Sequence, residues 1–402
     1  MANCDFVAKY RAKKSFFTRS TAKLTFQTLL LFLLSLPRQS AQSAINRFIR
    51  ERGLEFSVYK QSLFEAREKL RHQVFIDLNN DYFLKEYAYS GDFKTYRGFR
   101  VVAVDGSVFD VPAGANAFGK LKTSGEAVPK AQTVAFVDIL NDYILRAEIK
   151  PYGSGETNLT QQMFREFWQT DNSDDWLFLF DRGFFSRRMA REIGKHAKFV
   201  FRVSSQSLKE INEANEPDQI IIYRQKGYPD LQLRVINYVL PNGEIEKLVT
   251  NIFDPSFTVE DFGKLYNLRW GVETCFRTLK SRLEIENFSS AKQELILQDF
   301  YAAVFVYNMM SAATQEAVET ATTNQRKYVY KPNKNIAIGE VCALLIDSLL
   351  EDDPIKRQNL FSSAMAAISR SVEPVRPHRP SYERKVKYKS AKFPLNRKSG
   401  LA

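Results

Sequence analysis

The stretch from residue 99 to residue 203 constrains the fold more than any other part of the chain. Phe99–Phe109 (FRVVAVDGSVF), Ala131–Leu140 (AQTVAFVDIL) and Tyr143–Tyr152 (YILRAEIKPY) are three successive strand-like runs. Asn141-Asp142 makes a short hairpin turn between the second and third. A helical pattern at Asn158–Trp168 follows, then a strand at Trp176–Phe180, a helix at Ser186–His196 capped by Ser186, and a strand at Phe199–Val203. Antiparallel strands followed by strand–helix alternation predict an α/β fold, a mixed sheet with helices on its faces.

This order is that of a ribonuclease H-like core, with one carboxylate on the first strand and another just after the fourth. Asp105 and Asp181 occupy those places. Such a core needs a closing helix, and residues 204–258 do not supply it. They carry strand-like runs at Ile220–Arg224, Leu231–Leu240 and Ile245–Phe253, a β-rich insertion. A long helical pattern then runs from Thr258 to about Leu283. Upstream, residues 24–89 read as helical: Leu24–Leu36 ended by Pro37, Ser40–Arg52 stopped by Gly53, and Leu63–Leu84. The first two suit either a helix-turn-helix or a helical bundle. Downstream, Gln293–Met310 continues into 312–320, and Ile338–Leu350 adds another buried helix. The expected organisation is a helical N-terminal DNA-binding region at 1–95, the first part of the core at 96–203, the β-rich insertion at 204–258, the glutamate helix and rest of the core at 259–320, and a helical C-terminal region with a basic tail at 321–402.

On a wheel of 100° per residue, Tyr266, Arg269, Glu273, Arg277 and Lys280 share an arc of about 80°. Leu265, Leu268, Val272, Phe276, Leu279 and Leu283 form the adjoining apolar stripe. The helix can therefore pack by one stripe and present Glu273 from the next. Arg269–Glu273 and Glu273–Arg277 also suit i,i+4 ion pairs that merely steady the helix. Glu260, Asp261, Glu284, Asp110 and Asp138 are rival acids; none has the setting of Asp105, Asp181 and Glu273. Three such carboxylates suit divalent metal chemistry on a phosphodiester, in which two ions about 4 Å apart activate the nucleophile and stabilise the leaving oxygen. Mg²⁺ prefers oxygen donors of this kind.

Charge points to the same substrate. The net charge of +12 is concentrated at the ends: +5 over residues 1–23 and +8 over residues 370–402, leaving −1 for the middle. Basic arms of this kind suit nucleic acid. Cysteines and histidines number 3 each and are widely spaced, which excludes a disulfide framework and a His-rich metal centre. Leu24–Leu36 is too short to span a bilayer and lacks a small-residue cleavage site, so it reads as a buried helix of a cytoplasmic protein, with no membrane partner. No glycine loop for cradling phosphates is present.

At these residues the chain resembles the DDE transposases of bacterial insertion sequences, in the branch with a Tyr-x2-Arg-x3-Glu-x6-Lys signature. Tyr266, Arg269, Glu273 and Lys280 complete that signature within YNLRWGVETCFRTLK. Asp105-Gly106-Ser107 matches the family's D-G-[ST] motif, and Asp181-Arg182-Gly183-Phe184 its D-[RK]-G-[FY] motif. The resemblance covers most of residues 24–310. It implies a cut-and-paste enzyme that binds terminal inverted repeats of double-stranded DNA as a homodimer, cleaves the ends and joins them to target DNA. It further implies that Asp105, Asp181 and Glu273 hold two Mg²⁺ ions, with Mn²⁺ as a substitute. Tyr266, Arg269 and Lys280 would contact phosphates, and Arg182, Trp270, Arg277 and the tail residues Arg384, Lys385, Lys387 and Lys389 are further candidate DNA contacts. Some relatives trap a flipped base with an insertion tryptophan. This insertion has none, and Tyr223, Tyr228 and Tyr238 read equally as base-stacking or sheet residues. A nuclease without strand transfer and a transposase-derived DNA-binding protein without catalysis are the alternatives.

Overall fold

The computed structural model describes residues 4–19, 22–37, 39–85, 93–121, 127–170, 173–204, 207–322, 330–348 and 351–374. Its centre is one nine-stranded mixed sheet. The strands are β1 (Arg100–Asp110), β2 (Lys120–Leu121), β3 (Val128–Asp138), β4 (Tyr143–Pro151), β5 (Trp176–Phe180), β6 (Lys198–Arg202), β7 (Asp218–Tyr223), β8 (Leu231–Val239) and β9 (Ile245–Thr250). Their order is β2-β3-β1-β5-β6-β9-β8-β7, and β4 also pairs with β3. β1 is central, antiparallel to β3 and parallel to β5, and β5 is parallel to β6. The near-continuous apolar sequences of β1, β5 and β6 reflect burial on both faces.

The β-rich segment continues the same sheet. β9 pairs antiparallel with β6, Val200 opposite Thr250, and β8 and β7 follow outward. Val102, Val104, Phe178 and Phe201 face one side, under the helices Glu156–Thr170 and Arg187–Ile193. Val101, Ala103 and Leu179 face the other, toward the helices Val259–Asn267, Trp270–Ser281 and Gln293–Thr322.

The expected single helix from Thr258 to Leu283 is two helices. Thr258 and Asp261 form a reciprocal capping box at its start. The spiral then tightens at Leu268-Arg269, where the amides of 268, 269, 271 and 272 bond to carbonyls three residues back. This shifts the phase of the wheel between Tyr266 and Glu273.

The N-terminal helices Phe26–Leu34, Ala41–Glu51 and Lys60–Arg67 share a core with the thirty-residue helix Gln293–Thr322. Buried Arg67 ties them together, donating to Gln298 Oε1, to the Leu295 carbonyl and to Asp299 at 2.8 Å. The C-terminal part, expected to be helical, contains the helix Pro354–Arg370, which buries Ala364 and Ile368, and a ribbon without a sequence expectation that pairs Tyr330–Pro332 with Val372–Pro374. Among the described residues no helix is long and apolar enough to cross a membrane.

Candidate active site

Asp105 lies midway along β1, opposite Ala135 of β3, on the face it shares with Val101 and Ala103, toward the helix Trp270–Ser281. Its carboxylate accepts from the Gly106 amide at 2.9 Å. Asp181 follows the last residue of β5 and caps a short 3-10 turn through the Arg182 amide at 2.6 Å. Glu273 stands in the first turn of the helix Trp270–Ser281. Three separate elements thus direct carboxylates toward one region.

The group that joins them is Arg269. Its side chain is 2% exposed, and it donates from Nη2 to Glu273 Oε1 at 3.0 Å while Nη1 lies 3.6 Å from Asp105 Oδ2. Nε and Nη1 are buried without a hydrogen-bond partner. Burial works against this charge, but Tyr266, Asp181, Glu273 and Asp105 outweigh it and hold the guanidinium protonated. Opposite it, Arg202 donates to Asp181 Oδ1 at 2.8 Å from Nε and reaches Glu246 at 3.3 Å.

These surroundings separate the two aspartates. Burial pushes Asp105 up to about 6, reinforced by Asp181 and Glu156 and opposed by the Gly106 amide and Arg269. Burial also acts on Asp181, but the Arg182 amide and Arg202 prevail and hold it below the usual carboxylate range. Among the described residues no three His, Cys, Asp or Glu side chains are gathered to hold a metal ion. Arg269 and Arg202 engage the carboxylates as they stand. The donor set is nonetheless all carboxylate oxygen, the chemistry a hard divalent cation requires.

The other expected residues are placed unequally. The Tyr266 hydroxyl, expected at a phosphate, is buried and donates to the Phe180 carbonyl at 3.3 Å, beside Asp181. Lys280 also turns inward, donating to the Val108 carbonyl at 2.7 Å and pairing with Glu286 at 3.7 Å. Trp270 is 54% exposed, with the Arg269 guanidinium 5.0 Å from its ring centre. Arg182 and Arg277 are exposed. Arg384, Lys385, Lys387 and Lys389 lie outside the described residues. Among the rival acids, Asp110 pairs with Lys130, Asp138 is fully buried and accepts from the Leu140 and Asn141 amides, and Asp261 caps its helix. Tyr223 is buried against Arg187, Tyr238 packs beside Gly263, and Tyr228 is exposed.

Two neighbours were not anticipated. Arg202 ends β6, and the parallel register placing Phe180 opposite Phe201 sets it beside Asp181. Glu156 opens the helix Glu156–Thr170 and lies against Gly106, held by Gln132 at 2.9 Å. Neither carries a local sequence signal, because the first contact is set by the β5–β6 register and the second by a helix start packed against a strand.

The profile of the transposase DDE domain family matches residues 96–309, just over half of the chain. The chain is 22% identical over 273 residues to the Transposase InsG for insertion sequence element IS4 of Escherichia coli (strain K12), a match covering 63% of this chain and 59% of that protein. It is 25% identical over 142 residues to the Probable transposase for insertion sequence element IS5377 of Geobacillus stearothermophilus, covering 32% of this chain and 37% of the relative. The chain therefore spans less than two thirds of either curated relative. A cryo-EM structure of the piggyBac transposase synaptic complex with hairpin DNA is similar at 10% identity and a TM-score of 0.47, over 96% of this chain and 84% of that one.

Proposed function

Since the chain belongs to the transposase DDE domain family, we propose that it is a DNA transposase that binds terminal inverted repeats, cleaves the DNA ends and transfers them to target DNA. It belongs, on this reading, to the Tyr-Arg-Glu-Lys branch, with a ribonuclease H-like core and a homodimer acting in the cytoplasm. The observation that carries the reading is the buried Arg269 held between Asp105 and Glu273, with Asp181 contributing to the charge that keeps it protonated.

Asp105, Asp181 and Glu273 would hold Mg²⁺, or Mn²⁺ in its place. When bound, the ions activate the attacking hydroxyl and stabilise the leaving oxygen. The protein's own residues supply the rest. Arg269 offers a planar fork for a phosphate near the scissile bond once the carboxylates are otherwise occupied. Tyr266 steadies the strand end that carries Asp181. Exposed Trp270 can stack on a base, and Arg182 and Arg277 can meet the backbone. Lys280 assists through charge, and the helical region 1–95 and the tail around Arg384–Lys389 grip flanking DNA.

A labelled duplex carrying the terminal repeat, with and without Mg²⁺, tests this. Mg²⁺-dependent cleaved and joined products are expected. Cleavage without joining would replace the reading with a nuclease, and binding without cleavage with an inactive derivative.

A further inference from the structure

β7 forms an outer edge of the sheet, with no strand on its far side among the described residues. Edges of this kind are templates for strand addition unless blunted by proline, charge or a bulge. Here the strand is DQIIIY, and Ile220 and Ile222 are 53% and 45% exposed on one face. That is the face on which Arg234 of β8 packs beneath Phe262. The helix Val259–Asn267 therefore covers β8 and leaves the isoleucines bare.

Backbone direction settles what a partner strand would meet. The Asn237 amide donates to the Pro217 carbonyl at 2.9 Å, and the register pairs 218 with 236 and 223 with 231. Odd residues of β7 thus turn their amides and carbonyls to β8, and even residues turn theirs outward. A second copy pairing antiparallel about a two-fold axis must match even residues to even residues. With Ile221 on the axis, Ile220 meets Ile222, Asp218 meets Arg224, and, just beyond the strand, Glu216 meets Lys226. All six even residues from 216 to 226 are exposed. Moving the axis by one residue, to Ile220 or Ile222, keeps only one charge pairing, Glu216 with Arg224 or Asp218 with Lys226, and sets Asp218 against Ile222 or Arg224 against Ile220. The charge pattern therefore selects one self-complementary register, even though Asp218 also holds Arg234 and Arg224 lies 3.4 Å from Asp230.

We propose that β7 is a homodimer interface, in which two copies join edge to edge through Ile220, Ile222, Asp218 and Arg224 into one continuous sheet. The four isoleucines form a shared apolar patch flanked by opposite charges, an isologous contact. The surface lies several strands from Asp105, so the proposal stands apart from the catalytic reading and can fail or succeed without it.

Sedimentation of the full chain across a micromolar range tests the proposal without DNA. A species of twice the 46.4 kDa chain mass is expected. Ile220→Lys/Ile222→Lys should weaken association by roughly tenfold or more, since lysines then oppose lysines across the axis, with unchanged circular dichroism. A second measurement covers the case in which that variant misfolds. In a Cys4→Ser background, because Cys4 is exposed, Ile221→Cys should cross-link to its own copy on mild oxidation and Ile220→Cys should not. A chain that stays monomeric throughout, a dimer that persists in the lysine variant, or cross-linking through 220 but not 221 would each overturn the proposal.

Discussion

Asp105→Asn is expected to make the metal-free protein more stable, because the candidate site is assembled at the expense of stability. Asp105 is mostly buried on the central strand, and its carboxyl rises from the usual 3.8 to about 6. Burial is the main cause, Asp181 and Glu156 add to it, and the Gly106 amide and Arg269 offset only part. The folded state therefore holds this proton more tightly than the unfolded chain does. Stability falls as pH rises from about 4 to about 6, and above that the full deficit is present. A rise of this size corresponds to about 3 kcal/mol. Asparagine keeps the shape and an acceptor for the Gly106 amide but carries no charge. In EDTA at about pH 7.5, urea unfolding should show the variant more stable by up to about 3 kcal/mol, with the difference vanishing near pH 4. Added Mg²⁺ should stabilise the wild type and not the variant. A variant equal to or weaker than the wild type at the higher pH would refute the electrostatic account.

Arg269→Ala should abolish cleavage and cost about 3–5 kcal/mol in thermal unfolding, because it leaves Asp105 and Glu273 without their buried counter-charge. Gly106→Ala would place a methyl 1.9 Å from Glu156 Oε1. Glu156 must then swing away from Gln132, at a cost of roughly 1–2 kcal/mol that Gly106→Ala/Glu156→Ala should largely recover in denaturant melts. Trp270→Ala, at an exposed position, should shift stability by under about 0.5 kcal/mol while weakening binding of a labelled DNA end.

Much of the core was legible because its signals are local. The three opening strands, the strand Trp176–Phe180 and the Ser186-capped helix each carry their own periodicity or cap, and the structure contains all of them. Asp105 and Asp181 emerge on adjacent parallel strands because β1 and β5 have the central-strand sequences that order requires. What depended on distant partners was not legible. The tightening at Leu268-Arg269 contains no proline, its one glycine, Gly271, does not by itself mark a break, and it falls where Arg269 must be buried between two carboxylates. The pairing of β9 with β6 has no local marker, and neither has the contact of Arg202 with Asp181 across strands. Tyr266 and Lys280 were placed by a helical wheel, and a wheel does not register the Phe180 and Val108 carbonyls that claim them.

The central claim is that Asp105, Asp181 and Glu273 act together on DNA. Its most direct test compares Glu273→Gln with the wild type on one labelled end duplex in Mg²⁺, scoring retained complex and cleaved strand in the same samples. Glutamine keeps the size and most of the polar contacts of Glu273 and removes the charge. The account predicts undiminished complex with cleavage abolished; cleavage at the wild-type rate would contradict it.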